Sequence, residues 1–425
     1  KWLRNQYIEL VHLLLRPTQL GGRPHVSSLM ASQLVRCHTQ VAKAVGKTAV
    51  LQFVDLRSAF YSVVRQLGVE MEHSKEDLAE LLEHTDMPEQ LRPAFEAILA
   101  APPILAEGVV PEHLRAMLGE ANRVTWFAAK RADVVAVARK GSRPGNGLAD
   151  FFFNLIYSKP LATIESELVD MGVVLDYTEV KGNTQDMLGT DDPPVACDST
   201  YMDDSVFMTV AARNDALVAH IVSVADIIHE TLSSYGFKIN YDAGKTGISL
   251  RFAGKGSQAA KDYFYGTEGR TVHLPRWDVH VQVERQYKHL GSWLAHDGAA
   301  GPEVRARTAE HGQALGELRR FVLRLGAVTL KAKTRYVEAL ANSKLLYHSE
   351  LWDPLPQRLL AHVRGTYTKG YRAAAAMLAH EASIIKHSDA EVMDELVASL
   401  GYMDYRDALA CNKYILEAKR SGDYH

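Results

Sequence analysis

The chain has 425 residues, 47% of them hydrophobic and 23% charged, which is typical of a globular protein with two or three structural units. The formal net charge of -3 neither requires nor excludes a nucleic-acid partner, because binding depends on where the basic residues lie. The three cysteines are far apart, which supports neither a disulfide framework nor a zinc knuckle and favours a reducing, intracellular compartment. No apolar run is long enough to predict a membrane span.

The first part of the chain is predicted to be helical around one buried strand. Apolar residues at helical spacing predict a helix over residues 2–15 and another over about 28–44. The apolar run from Ala49 to Val54 predicts a buried strand, and Asp55 follows it where the chain leaves the sheet. The segment of about 70–140 is predicted to be mostly helical.

A glycine-dense loop and a β-hairpin follow. The loop from Gly141 to Gly147 precedes an apolar helix that begins at Leu148. Such a loop lets the backbone approach a ligand closely, although an ordinary connector has the same composition. The sequence from Tyr201 to Asp204, followed by apolar residues, predicts a hairpin whose turn carries two adjacent acids.

The remaining elements are predicted from apolar spacing and turn residues. A helix is expected over about 214–235, with Asn214 as its N-cap, and a short strand over 237–240. Alternating valines predict a strand over 279–283, and the chain from Pro302 onward is predicted to be helical.

The helical C-terminal part carries an excess of positive charge. Between Gly301 and Leu345 there are nine Lys or Arg residues and four Glu residues. An apolar stripe is predicted along the first helix of this part, formed by Leu315, Leu318, Val322 and Leu325.

Three acids predict a site for a divalent cation. Asp203 and Asp204 would point to opposite faces of a regular strand, so both can serve one site only where the chain bends, as at a hairpin tip. Adjacent carboxylates repel each other, and one would take up a proton unless a divalent cation is present. Asp55 supplies a third carboxylate, although a residue that merely caps a turn would be of the same type. A coincidental acid pair in a helical protein would instead leave Asp55 far from Asp203.

The order of five short motifs resembles that of the reverse transcriptases, in particular those of non-LTR (LINE-like) retrotransposons, over about residues 19–294. The first three matching segments are Asp55-Leu56-Arg57-Ser58-Ala59-Phe60, a partial match through Arg143, Gly145, Leu148, Phe153 and Asn154, and Tyr201-Met202-Asp203-Asp204. The other two are Gly236 to Asn240 with Lys245-Thr246, and Tyr287 to Gly291. Each motif is short, and the specificity of the match lies in the shared order.

This resemblance implies an α+β fold, the right-hand polymerase core with partial fingers, a palm with an antiparallel sheet and a helical thumb. Residues 1–295 would form the fingers remnant and the palm, with a helical fingers insertion at about 70–140. Residues 296–425 would form the thumb and a C-terminal extension. The basic segment would then follow a duplex backbone, although a solvated amphipathic helix has the same pattern.

The resemblance also implies an RNA-directed DNA polymerase that transfers a nucleotide from a dNTP to a primer 3′-hydroxyl by a two-metal mechanism. Asp55, Asp203 and Asp204 would hold two Mg²⁺ ions, with Mn²⁺ as an alternative metal, and Lys245 would stabilise or protonate the pyrophosphate. The residues expected at the nucleotide are Phe60, Arg143, Gly145 and Tyr201. Phe60 would reject a ribose 2′-hydroxyl, although it could equally be a core residue. The primer grip would be formed by Tyr287, Lys288, Leu290 and Gly291.

Some positions depart from the family pattern. Pro144, Gly147 and Asp150 replace residues that the family uses in its second motif, and the basic fingers strands upstream have no clear match. A catalytically silent module that binds RNA or protein through the same fold is therefore an alternative. For the polymerase, the expected partners are an RNA template, a DNA primer and dNTP, with no membrane and with further domains of a larger polyprotein. The expected place of action is the nucleus.

Overall fold

A computed structural model describes most of the chain. The described residues are 14–24, 26–71, 81–83, 87–106, 110–123, 125–128, 135–138, 140–142, 148–177, 195–266, 270–352, 355–375, 397 and 401–421. By its internal contacts the chain divides into two compact units, Lys1–Tyr287 and Lys288–His425. The division expected between residues 295 and 296 stays a prediction. The helix expected over 2–15 lies almost entirely outside the described residues.

The first unit is a mixed α/β structure. Its strands are β1 (Thr48–Val54), β2 (Thr125–Ala128), β3 (Val135–Ala138), β4 (Asp198–Tyr201), β5 (Asp204–Ala211), β6 (Gly247–Arg251), β7 (Thr271–Leu274) and β8 (Val279–Val283). Its helices are α1 (Ser28–Ala44), α2 (Ala59–Ser62), α3 (Arg92–Ala100), α4 (Glu112–Arg123), α5 (Ala149–Asp170), α6 (Leu217–Ser234) and α7 (Ser257–Tyr265). The helix predicted over about 28–44 is confirmed, and so are the strand before Asp55 and the hairpin at Tyr201 to Asp204.

Six strands form one sheet in the order β4-β5-β1-β6-β8-β7. Four of its five strand pairs are antiparallel, as expected, whereas β6 and β8 pair in parallel. The parallel pair follows from the hairpin between β7 and β8, because β7 lies at the sheet edge and β8 returns beside β6. The sheet is therefore mixed, and not purely antiparallel as the resemblance implies.

Strand β1 is buried along its whole length because helices cover both faces of the sheet. Successive side chains of a strand point to opposite faces. Ala49 packs with Ala42 of α1, whereas Val50 packs with Ile221 of α6. The one polar side chain in the middle of the strand, Gln52, donates to the carbonyl oxygen of Ile221 at 3.1 Å, which satisfies its buried amide nitrogen. A strand held on both faces gives the residue that follows it a fixed position.

The stretch of about 70–140 contains helices in its described part, as expected, and also the β2–β3 hairpin, because its segments 125–128 and 135–138 are rich in aromatic and β-branched residues. Two local predictions in this unit are wrong. The segment 237–240 forms a single bridge, Leu56 to Ile239, instead of a strand. Asn214 does not cap α6, since its side chain donates to the carbonyl oxygens of Ala253 and Lys255.

The second unit is mostly helical. Its helices are α8 (Gly301–Leu318), α9 (Leu330–Val337), α10 (Ser343–Leu345), α11 (Gln357–Ala375) and α12 (Tyr405–Ser421). A two-stranded sheet pairs β9 (Gln286–His289), the strand within which the chain passes from the first unit to the second, with β10 (Ser292–Ala295). Its core contains large aromatic side chains, among them Tyr367 and Tyr371 of α11.

The predicted apolar stripe is only partly correct. Leu315 and Leu318 are buried, but Leu325 is 51% exposed. The helix changes to π-helical geometry over Arg319–Leu323, and a π-helical turn contains more residues than an α-helical turn, which shifts the phase of the stripe. The excess positive charge is also smaller at the surface than in the sequence, because Lys333 is only 4% exposed. The buried pair of Arg307 and Glu303 removes one charge of each sign and does not change the excess.

Within the described residues one segment, Asn214–Ser234, is long and apolar enough to cross a membrane, with a mean hydropathy of 1.3. The sequence prediction did not include it. Its apolar residues Ile221, Val224 and Ile228 pack in the core of the first unit. A core helix of this kind has the same length and composition as a membrane span, so the segment is weak support for a membrane partner.

Candidate functional site at the end of the central strand

The first acid, Asp55, lies where β1 leaves the sheet. Val54 pairs with Ser205 of β5 in an antiparallel register. Because Asp55 follows Val54 and Asp204 precedes Ser205, these two acids lie side by side at the end of the ladder. The backbone N–H of Asp55 donates to Thr246 Oγ1 at 3.3 Å, and its carbonyl oxygen accepts from the N–H of Asn240 at 2.8 Å. The position of Asp55 is therefore fixed on both sides.

The other two acids lie at the tip of the β4–β5 hairpin. Tyr201 pairs with Asp204, which leaves Met202 and Asp203 as a two-residue turn. Met202 has a φ of 60°, a left-handed conformation that costs a residue with a side chain about 1 kcal/mol. This bend brings Asp203 and Asp204 to the same end of the sheet. A purely regular strand would separate them.

A segment near the N-terminus of the described chain supports the hairpin from behind. Thr18 and Leu20 form backbone hydrogen bonds with Thr200 at 3.1 Å and 2.8 Å. Gly21 follows so closely that a Cβ atom there would lie 2.3 Å from the backbone nitrogen of Met202. Asn154, which is buried in α5, donates both to the carbonyl oxygen of Gly21 and to the sulfur of Met202.

The three acids interact electrostatically. Burial raises the pKa of Asp203, and the neighbouring Asp55 raises it further. Burial, followed by Asp203 and Asp55, raises the pKa of Asp204 to about 6. The Lys245 ammonium opposes both shifts. The hypothesis of a coincidental acid pair, with Asp55 far from Asp203, is therefore wrong.

The arrangement fits hard divalent cations. All of its donors are carboxylate oxygens, which Mg²⁺ prefers, and the raised pKa values of Asp203 and Asp204 indicate negative charge that a cation would stabilise. The oxygens of the three acids are spread more widely than those of a compact single-ion cage. Two ions in one site lie about 3.5–4 Å apart, so a wider spread is compatible with a two-metal centre.

Lys245 and Tyr287 lie beside the acids. The Lys245 ammonium is 3.3 Å from Asp55 Oδ1. The ring of Tyr287 stacks on Phe53 of β1 with a centroid distance of 3.9 Å, and its hydroxyl donates to the carbonyl oxygen of Lys245. Burial raises the pKa of Tyr287, and Asp204 and Asp55 raise it further. Tyr287 therefore connects the central strand with the loop that carries Lys245.

The residues expected at the nucleotide are described only in part. Phe60 is partly buried, and its ring is 4.9 Å from that of Phe153 in α5, so one face of Phe60 belongs to the core. Tyr201 is half-buried at the hairpin. Arg143 and Gly145 lie outside the described residues. The start of their loop is fixed, because the N–H of Ser142 donates to the carbonyl oxygen of Phe60 at 2.6 Å.

Of the expected primer-grip residues, only Tyr287 belongs to the first unit. In the second unit Lys288 is exposed, and Leu290 and Gly291 both have positive φ, 48° and 82°. The carbonyl oxygen of Gly291 accepts a hydrogen bond from Arg307 of α8. The turn at Leu290 and Gly291 is thus held by the first helix of this unit.

A second group of possible ligands in the described part of the chain is Glu165, Cys197 and Asp198. Arg16 occupies it, with ion pairs to Glu165 and to Asp198. Burial would lower the pKa of Arg16, but the two carboxylates outweigh burial and raise it. This group is a buried ion-pair cluster, and its cation is a guanidinium.

Sequence reasoning missed the polar side chains that hold Asp55. Asn240 donates to Asp55 Oδ2 at 2.9 Å, and Thr246 accepts from the Asp55 amide. Both residues belong to the fourth matching segment, but nothing in a single sequence indicates which distant side chain they contact. The available signal was a polar residue directly after Phe237 and Ile239, two apolar residues that the structure buries.

No family model matches the chain, and no curated protein matches it. Among solved structures it is similar to telomerase from Candida albicans in complex with a TWJ fragment of telomeric RNA, with 13% sequence identity and a TM-score of 0.34. The match covers 97% of this chain and 57% of the telomerase chain, so this chain spans little more than half of that protein. A TM-score of that size does not establish a shared fold.

Proposed function

We propose that this chain is the polymerase core of a reverse transcriptase from a non-LTR, LINE-like retroelement. The observation that supports the proposal is the meeting of Asp55, Asp203 and Asp204, remote in the chain, at one end of a shared sheet. The substrates would be an RNA template, a DNA primer and dNTP, and the reaction would be transfer of a nucleotide to the primer 3′-hydroxyl. Such an enzyme would act in the nucleus, within a larger polyprotein.

The acids would hold the catalytic cations. Asp55 and Asp203 would hold the ions through carboxylate oxygens, and Asp204 would add negative charge beside them. When bound there, a pair of Mg²⁺ or Mn²⁺ ions would activate the primer hydroxyl and stabilise the leaving pyrophosphate. Lys245 would give a proton at Nζ to that pyrophosphate, which its place 3.3 Å from Asp55 supports.

The surrounding residues would bind and select the substrates. Phe60 would lie against the sugar and reject a ribose 2′-hydroxyl by its bulk. Arg143, Gly145 and Tyr201 would contact the nucleotide. Tyr287, with Lys288, Leu290 and Gly291, would form the primer grip, and the basic helices of the second unit would follow the duplex backbone as a thumb.

Primer extension tests the proposal. The purified chain is incubated with an RNA template, an annealed DNA primer, dNTP and Mg²⁺, and the expected result is template-dependent extension that EDTA abolishes. Asp203→Asn should lower the rate about a thousandfold, because it would remove a ligand from the proposed metal site. The matched control is Asp215→Asn, which changes an exposed aspartate that pairs with Arg213.

The outcomes separate the polymerase from the silent module. Equal extension by the wild-type chain and Asp203→Asn would contradict the proposed site. Absence of extension together with a stable complex with RNA in a gel-shift assay would favour the catalytically silent module. Phe60→Val adds a second test, since removal of the ring should increase incorporation of rNTP relative to dNTP.

A further inference from the structure

The segment from Lys238 to Thr246 holds Asp55 through several contacts. The backbone N–H of Arg57 donates to the carbonyl oxygen of Lys238 at 2.8 Å, and that of Asn240 donates to the carbonyl oxygen of Asp55 at 2.8 Å. These bonds flank the bridge between Leu56 and Ile239. The side chain of Asn240 is therefore carried on backbone that is tied directly to the acid.

The orientation of the Asn240 amide is determined by its neighbours. Its Oδ1 accepts from Arg57 Nε at 3.3 Å and from the backbone N–H of Asp242 at 3.2 Å. An amide nitrogen cannot accept these bonds, so Nδ2 must face the other way. There it donates to Asp55 Oδ2 at 2.9 Å.

The two oxygens of Asp55 thus have different partners. Oδ2 is held by the neutral, fixed amide of Asn240, whereas Oδ1 is paired with Lys245, whose side chain is 52% exposed. An exposed lysine is a flexible point charge that loses side-chain entropy when it is held in one place. A divalent cation would compete with Lys245 for Oδ1, while Asn240 would leave the negative charge of the carboxylate intact.

We propose that Asn240 is a positioning residue that holds Asp55 Oδ2 and so presents Oδ1 to a divalent cation, which displaces Lys245 from that oxygen. This inference rests on the proposed function, because it assigns a metal to Asp55. Groups that hydrogen-bond to metal ligands change metal affinity by about 10–100-fold when they are removed. Lys245 then has two states, paired with Asp55 without metal and released with it.

Metal binding can be measured without catalysis. Mn²⁺ is titrated into the wild-type chain, Asn240→Leu and Lys245→Met, and free Mn²⁺ is followed by its electron paramagnetic resonance signal. We expect Asn240→Leu to bind Mn²⁺ about tenfold more weakly than the wild type. We expect Lys245→Met to bind it more tightly, because the competing ammonium is gone. The matched control is Asp215→Asn, which changes an exposed aspartate that pairs with Arg213 and should leave Mn²⁺ affinity unchanged.

A positioning role and a purely structural role of Asn240 predict different responses of the Asn240→Leu variant to a high concentration of Mn²⁺. If Asn240 orients Asp55, extension by Asn240→Leu should recover at high Mn²⁺ concentration, whereas a variant with a damaged fold would not recover. Wild-type affinity in Asn240→Leu, or weaker binding in Lys245→Met, would overturn the inference and leave the proposed function standing. A wild-type chain that neither binds Mn²⁺ nor extends a primer would overturn both.

Discussion

Asp204 illustrates a residue whose charge opposes folding in the absence of metal. Its pKa is raised to about 6 by burial, then by Asp203 and Asp55. An acid with a raised pKa in the folded state destabilises the fold when it is ionised, so stability is lost as pH rises from about 4 to 6. At a site that binds a cation, the bound cation offsets this electrostatic destabilisation.

Asp204→Asn is therefore expected to stabilise the metal-free chain at pH 7. The Asp204 residue also keeps contact with solvent, which screens its charge, so the gain should be about 1 kcal/mol rather than the full value of the pKa shift. Urea unfolding in EDTA at pH 7 and at pH 4 measures it, and the difference from the wild type should disappear at the lower pH. Asp215→Asn is the control, because Arg213 lowers the pKa of Asp215. A less stable Asp204→Asn at pH 7 would contradict the electrostatic account.

Arg65 is a second residue whose contacts allow a prediction, in this case about the stability of the fold. It is 3% exposed, and burial lowers its pKa. No carboxylate is among its hydrogen-bond acceptors in the described part of the chain. Those acceptors are Thr125 Oγ1 and the carbonyl oxygens of Gly141, Asn122, Ala138 and Lys140. One guanidinium thus joins α4, the β2–β3 hairpin and the start of the glycine-dense loop.

Replacement of Arg65 should lower the stability of the folded chain in proportion to the number of hydrogen bonds lost. Arg65→Met would leave several buried carbonyl oxygens without a donor and should destabilise the chain by about 3 kcal/mol. Arg65→Lys keeps the charge but not the planar fork and should cost about 2 kcal/mol. Thermal unfolding measures both, with Arg213→Met at an exposed position as the control. Equal stability of Arg65→Met and the control would show that these bonds contribute nothing.

At the scale of elements, the hairpin that carries Asp203 and Asp204 depends on a backbone contact that only glycine permits. The nearest atoms to a Cβ at Gly21 would be backbone atoms of Met202 and Tyr201, at 2.3 Å and 2.9 Å. Backbone cannot rotate away as a side chain can. The segment containing Gly21 or the hairpin would have to move.

Gly21→Ala should therefore destabilise the chain by about 2 kcal/mol and lower primer extension by displacing the hairpin turn. The control is Gly312→Ala in α8, where a Cβ has open space and helix propensity predicts a gain of up to about 1 kcal/mol. Circular dichroism melts and extension rates measure the two effects. Wild-type stability and rate in Gly21→Ala would mean that this segment does not support the turn.

The elements that sequence predicts well are those with local signals. The buried strand β1, helix α1 and the turn at Met202 follow from apolar runs, helical spacing and paired acids. The parallel pairing of β6 with β8 could not be predicted, because it depends on where the β7–β8 hairpin packs. Similarly, the types of Asn240 and Arg65 are visible in the sequence, whereas their partners, Asp55 and several carbonyl groups, are fixed only by the tertiary fold.

At the scale of the whole molecule, both units contain histidines whose burial opposes protonation. Burial lowers the pKa of His38 to about 4 in the first unit and that of His289 to about 3 in the second. In the unfolded chain a histidine has a pKa of about 6.5. The unfolded state therefore binds more protons than the folded state between about pH 4 and 6.5, and stability falls as pH is lowered through that range.

His38 offers the sharpest test because it is fully buried, with its ring nitrogens 3.2 Å from the Tyr177 hydroxyl and 3.4 Å from the carbonyl oxygen of Thr209. His38→Gln keeps hydrogen-bonding groups but cannot be protonated. Between pH 7.5 and 4.5 the wild type should lose about 2–3 kcal/mol more than this variant, as a pKa shift of that size requires. Urea unfolding at the two pH values measures the difference, and His113→Gln, at an exposed position, should follow the wild type. If His38→Gln lost stability with the same slope, the acid sensitivity of the first unit would have to come from other groups, such as the half-buried His220 beside Thr209.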